Sequence, residues 1–300
     1  MKRVVSVSLG SSKRNKTAEV EFLGEQFRVE RIGTDGSVSR ALELIKELDG
    51  QVDCFGLGGI NRYLVAAGRK YVLREADQLA RAAKLTPVVD GSGLKATFEP
   101  WALRKLDAEG SVPLRGKRVL LVSATDRFGM AQAFAELTDQ VIYGDLIFAL
   151  GLPLAMRSLR TVNVVGFLLL PLICRLPISL LYPTGGQQEK SEPKYERYFH
   201  WAEVIAGDFM FIRRYLPAGM EGRILITNTT RQADLELVRA RGLRRLVTTT
   251  LRIEGESFGQ NVMESVLVTL SGKRPEELSP RDYFDLIERL GWQPQILDLE

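Results

Sequence analysis

Apolar and polar positions change period several times along this chain, and the changes delimit its elements. Residues 3–9 (RVVSVSL) alternate with the period of two that a strand imposes. Residues 18–23 and 26–32 repeat that pattern on either side of Gly24 and Glu25, a hairpin signal. From Ser37 the period lengthens. Leu42, Ile45 and Leu48 recur at helical spacing, Ser37 supplies an N-cap and Gly50 a stop. Residues 52–57 predict a short buried strand ending at Gly58-Gly59, residues 62–73 a hairpin about Gly68, residues 75–84 a helix and residues 87–89 a further strand. A helix over 94–106 carries a weak point at Pro100.

The small polar stretch 111–116 (SVPLRG) reads as a linker between two units. Residues 117–122 are basic and then wholly apolar, as in a central parallel strand. A helix over 129–137 and a strand over 140–143 follow. Further strands are expected at 203–206, 223–227 and 246–249, helices at 233–241, 258–270 and 280–290, and a polar surface stretch at 187–198. Strands alternating with helices predict an α/β fold. Residues 1–110 form an N-terminal α/β substrate domain, and residues 111–300 a Rossmann-like parallel-sheet domain with an apolar helical insertion at about 147–200.

Composition narrows the function classes. The formal net charge of +4 arises from 41 Lys and Arg scattered among 37 Asp and Glu. That is not the one-sided basic face of a nucleic-acid binder, whereas an anionic small molecule suits the mild excess. Cys54 and Cys174 are far apart, and His200 is the single histidine, so no metal site is expected. Both cysteines read as small buried apolar residues of a reducing compartment. The N-terminus lacks an apolar leader, which predicts a cytoplasmic protein. The uncharged run 161–174 is shorter than the roughly 20 residues needed to span a bilayer. A buried or lid-forming helical pair is expected there. If residues 147–183 are exposed instead, a homodimer contact is expected ahead of membrane contact.

The predicted strand–loop–helix at 117–137 is a seat for a dinucleotide pyrophosphate, whose charge the backbone N–H groups and helix N-terminus would attract. Ser123, Ala124, Thr125, Arg127, Phe128 and Gly129 are the candidate cradle. Aligning Gly129 with the third fingerprint glycine puts Asp126 at the second, where its charge opposes phosphate. Asp145, at the end of the next strand, is placed to bond a ribose 2′-hydroxyl, which favours NAD over NADP. Helix capping by Asp126 and solvation of Asp145 are the plainer alternatives.

Three stretches give the chain a resemblance to the shikimate/quinate dehydrogenase family. Ser8-Leu9-Gly10-Ser11-Ser12-Lys13-Arg14-Asn15 resembles its substrate loop, matching at Ser8, Leu9 and Asn15. Asp90-Gly91-Ser92-Gly93 resembles its Asp-Gly-x-Gly turn, and Gly116-Lys117-Arg118-Val119 the strand opening that follows. Asn228 and Thr230 resemble the strand end beside its cofactor. The resemblance implies NAD-dependent hydride transfer on a hydroxylated cyclic carboxylic acid. Asp90 would be paired with a lysine, Lys70 being the nearest since the 54–61 segment has none; Lys95 is a second candidate. The substrate would be held by Ser8, Ser11, Ser12 and Asn15, with Gln260 and Asn261 reaching it from a helix start. The alternative is a catalytically inactive Rossmann-like protein that binds a ligand or regulates.

Overall fold

The computed structural model describes residues 1–299 except 183–184, 186–190, 251 and 254–255, and the backbone alone at 252–253 and 256–257. The first unit runs through β1 (Lys2–Ser8), β2 (Lys16–Phe22), β3 (Glu25–Gly33), α1 (Val38–Leu48), β4 (Cys54–Gly58), β5 (Tyr63–Ala66), β6 (Arg69–Val72), α2 (Arg74–Ala80) and β7 (Val88–Val89). Its sheet has the order β2-β3-β1-β4-β7, parallel except that β2 pairs antiparallel with β3. The hairpin β5–β6 stands apart from it.

Two short helices, α3 (Ser92–Ala96) and α4 (Phe98–Ala108), lead onward. The expected single helix breaks at Thr97 rather than Pro100, because Pro100 falls in the first turn of α4, where its missing N–H costs nothing. The second unit contains β8 (Val119–Leu121), α5 (Phe128–Leu137), β9 (Val141–Tyr143), α6 (Leu159–Ile173), α7 (Ile178–Leu181), α8 (Glu196–Trp201), β10 (Val204–Gly207), α9 (Phe209–Tyr215), β11 (Ile224–Thr227), α10 (Gln232–Ala240) and β12 (Arg245–Thr248). After the short hairpin β13 (Arg252–Ile253) and β14 (Glu256–Ser257) come α11 (Gln260–Ser271), α12 (Pro280–Arg289) and β15 (Gln295–Asp298). The second sheet has the order β15-β12-β11-β10-β8-β9, parallel except for the edge strand β15. The chain is thus a two-unit α/β protein with a parallel-sheet second unit. Part of the expected polar stretch 187–198 lies outside the described residues.

Strand alternation explains how both faces of each sheet are covered. In β1, Val4 enters one core while Val5 and Val7 enter another. In the second sheet Val119 and Leu121 point one way, and Leu120 and Val122 the other. Leu120 and Val122 share a continuous core with Val5, Val7 and Leu57, so the two units are packed together by apolar contact.

The helices after residue 259 return to the first unit. Val262, Met263, Val266 and Leu267 of α11 and Tyr283 and Ile287 of α12 pack with Val4, Phe27, Cys54 and Phe98. Glu264 fastens this return: its buried carboxylate accepts from Gly91 N (2.6 Å), Gly93 N (2.9 Å) and the Tyr283 hydroxyl (2.8 Å). A Cβ on Gly93 would collide with Tyr283 and Glu264, which explains a glycine there.

Arg127 is the second fastening. Its guanidinium is fully buried and donates to Glu99 on α4, to Asp208 at the end of β10 (3.0 Å) and to Gln260 at the start of α11 (3.1 Å). Removing one member of a buried ion network costs about 3–5 kcal/mol, because the remaining charges lose their partner. Arg127→Leu is therefore expected to lower Tm by on the order of 10 °C, read by calorimetry.

Glu264 yields a pH prediction. Burial, and secondarily the Asp90 charge, push its carboxyl from 4.5 to about 7, against hydrogen bonds that favour the ionised form. The folded chain holds this proton more tightly than the unfolded chain, so the contribution is full below about 4.5 and is lost as pH rises through about 7. Against Glu264→Gln, wild-type Tm is expected to fall by a few degrees over that window; parallel curves would exclude this titration.

Candidate functional site

The C-terminal ends of the parallel strands of both sheets open onto one cleft of about 200 Å³. Such strand ends are where open α/β sheets hold ligands. From the first unit the cleft receives Ser6 and Ser8 of β1, Arg31 of β3, Asn61 after β4 and Asp90 after β7. From the second it receives Arg127 at the start of α5, and Asp208 and Asn228, each directly after a strand. Gln260 and Asn261 enter from the N-terminus of α11.

The floor is an ordered polar network. Lys95 Nζ is buried and donates to Asp126 Oδ1 (2.6 Å) and Asn61 Oδ1 (2.5 Å). Asn61 in turn donates to the Tyr182 hydroxyl (2.9 Å). Asp90 accepts from Arg62 N (2.5 Å) and from the backbone and hydroxyl of Ser92. Asn261 donates to Ser6 Oγ (2.6 Å), and its backbone lies so close to Gly56 that a Cβ there would clash. Asn228 donates to Asp208 (3.2 Å).

The rim on one side is cationic. Arg14, Lys16, Arg31, Arg213 and Arg231 all line the cleft. Arg31 donates to Ser8 Oγ (2.9 Å) and Ser11 O (3.1 Å), both neutral oxygens. Burial, then the charges of Arg14 and Arg231, push its pKa down to about 10, with Asp35 acting weakly the other way. Arg213 and Arg231 share the carboxylate of Asp234.

The expected residues divide sharply. Ser8, Asp90, Arg127, Asn228, Gln260 and Asn261 reach the cleft. Ser11, Ser12 and Asn15 do not line it. Ser11 accepts from Lys13 N, Ser12 N donates to Asp35, and Asn15 accepts from Gly33 N, so these residues shape the loop. Lys70 is exposed on the β5–β6 hairpin over the Tyr63 ring, and no described bond joins it to Asp90. The buried lysine of the cleft is Lys95, and its described carboxylate partner is Asp126.

The expected nicotinamide cradle fits its cofactor poorly. Asp145 is half-buried and accepts from Ala124 N (3.0 Å), Thr125 N (2.8 Å) and Thr125 Oγ1 (2.7 Å), so it consumes the donors a pyrophosphate would need. It is therefore not presented to a ribose. Ala124 lies in the core, while Ser123 and Thr125 border a separate apolar cavity beneath α6. Phe128 packs against the core, and Gly129 lets α5 approach Lys95 O and Pro100 without a clash. Thr230 is buried outside the cleft lining. Arg31, Asp208, Arg213 and Arg231 were not anticipated. Asp208 had a readable signal, an acid directly after a strand; Arg31 had none, because only strand pairing turns it toward Ser8.

Three solved structures resemble the chain distantly. A Mycobacterium smegmatis protein in complex with beta-D-fucofuranose shares 11% identity, with 99% of each chain covered and a TM-score of 0.31. A galactofuranose binding protein shares 13%, covering 97% of this chain and 99% of that one at 0.34. A substrate-binding protein of a sugar ABC transport system from Bordetella parapertussis shares 11%, covering 99% and 89% at 0.34. The expectation of a dehydrogenase is corrected on the geometry of this chain: Asp145 occupies the loop amides a nicotinamide cofactor would need, and no described bond joins Lys70 to Asp90. Comparison with curated proteins gives no match. Residues 3–90 match the model of a domain of unknown function (DUF8753), and the chain belongs to the family of a second domain of unknown function (DUF8754), whose model matches residues 93–299.

Proposed function

We propose that this chain is a ligand-binding protein that takes one small, hydroxylated, anionic molecule into the cleft between its two units. The observation that carries this reading is the placement of Arg31 at the cleft between the charges of Arg14 and Arg231, with its own described hydrogen bonds going to the neutral oxygens of Ser8 and Ser11. Like charges gathered in a partly desolvated place repel, and an anion seated among them relieves that repulsion. Guanidinium groups suit carboxylate and phosphate oxygens because they present donors in a planar fork. The hydroxyl-bearing body of the ligand would meet Ser6, Asn61, Asn228 and Asn261, whose amides and hydroxyls both donate and accept.

Binding without turnover fits the state of the acid–base groups. Asp90 is held by Arg62 N and Ser92, and Lys95 by Asp126 and Asn61, so neither is presented as an unengaged proton acceptor or donor. The contact of two units around the cleft also suits a binding protein, because ligands settle preferentially where domains meet.

The test is thermal shift and calorimetry with matched sets of neutral sugars, sugar acids and sugar phosphates. An anionic member is expected to raise Tm by several degrees, and its neutral counterpart to have little effect. Arg31→Gln is expected to weaken that anion at least about tenfold, roughly the 1.4 kcal/mol of a charge-assisted hydrogen bond. Comparing the acid and phosphate sets separates carboxylate from phosphate ligands. Equal binding of neutral sugars, or full affinity in the variant, would overturn the reading.

A further inference from the structure

The apolar insertion has two faces with different fates. Val162, Gly166 and Leu170 of α6 point inward, and Gly166 admits the Ala66 methyl of the β5–β6 hairpin. On the opposite side, Val164, Phe167, Leu168 and Leu172 follow one another at helical spacing and are 48–65% exposed. Leu176 and Leu180 carry the ridge past the helix end at 41% and 68% exposed. A contiguous ridge of large apolar side chains marks a surface that meets something apolar.

The charges around the ridge say what kind of surface that is. Arg157, Arg160 and Arg175 lie along the insertion, and no Asp or Glu occurs between residues 146 and 188. The tip of the neighbouring hairpin adds Arg69 and Lys70, with the Arg69 guanidinium 5.4 Å from the Phe167 ring centre. Glu75 is the carboxylate that a described hydrogen bond brings to the insertion, and it faces inward to accept from Ile178 N at the start of α7. A ridge of leucine and phenylalanine rimmed by arginine matches the interface of an anionic bilayer, with the apolar side chains among the acyl chains and the cations at the headgroups. A second copy of the chain fits less well. A two-fold contact sets this patch against itself and brings arginines toward arginines with no carboxylate from residues 147–188 to pair them. The α6 helix has 15 residues and contains Pro171, and no helix among the described residues is long and apolar enough to cross a membrane.

We propose that the α6–α7 ridge docks the protein in the plane of an anionic membrane surface. The experiment is co-sedimentation of the full chain with extruded vesicles. One set is phosphatidylcholine alone and the other phosphatidylcholine mixed with phosphatidylglycerol. Solution mass and circular dichroism melting are recorded in parallel. Wild type is expected to partition onto the anionic vesicles at least about tenfold more strongly than onto the neutral ones, and to be released by high salt. Leu168→Glu with Leu172→Glu is expected to abolish the binding with an unchanged melt, since both side chains are already exposed. Arg157→Gln with Arg160→Gln is expected to weaken it with the ridge intact, a readout independent of the leucine pair. Absence of wild-type binding overturns the proposal, as does undiminished binding by the leucine variant. A wild-type dimer that falls to a monomer in that variant without vesicle binding assigns the ridge to a second copy instead.

Discussion

One buried cation holds the active end of this molecule together. Arg127 lies out of water among Glu99, Asp208 and Gln260, which come from α4, the end of β10 and the start of α11. Burial alone would disfavour its charge, but the surrounding carboxylates more than compensate and hold it firmly protonated. Glu99 experiences the reverse balance, since burial raises its carboxyl despite the arginine and Lys95 beside it. Apolar packing could have joined these segments with less desolvation cost, but it is non-directional. A forked cation with three described hydrogen-bond partners fixes where these segments sit, and the cleft geometry follows from that.

The same economy explains why the loop after β8 does not serve the chemistry its layout suggests. A strand, a turn and a helix start offer backbone N–H groups to whatever anion is at hand. Here that anion is internal. The carboxylate of Asp145 occupies the amides of Ala124 and Thr125, and Asp126 is neutralised by Lys95. The anion-seeking character of the site passes to the opposite rim, where Arg31 has neutral oxygens for company and other arginines for neighbours.

The insertion between β9 and β10 departs from this pattern of internal satisfaction. Its inward face is absorbed by the hairpin and the shared core, as expected for a buried helix. Its outward face is left with leucines in solvent and arginines around them. One protein thus carries a polar, cationic cleft and, on a separate element, an apolar ridge with a cationic border.

The sequence by itself determined the elements and the class of fold. Period-two alternation located β1, β2 and β3, a wholly apolar run located β8, Ser37 and Gly50 bounded α1, and the regular exchange of strands and helices required a mainly parallel sheet, because these are properties of neighbouring residues. It also placed Asp90, Asn228, Gln260 and Asn261 near a site, since strand ends and helix starts are readable locally. Only the tertiary structure decided which candidates meet. Lys70 was the first candidate on paper and Lys95 the second, yet Lys70 lies on an outer hairpin and Lys95 is buried against Asp126. Asp145 looked like a ligand contact until folding turned it onto the loop after β8, and α11 had no sequence mark of its return to the first sheet. Partner choice depends on distances between residues far apart in the chain, and burial sets the strength of each charge. Neither quantity is encoded in local spacing.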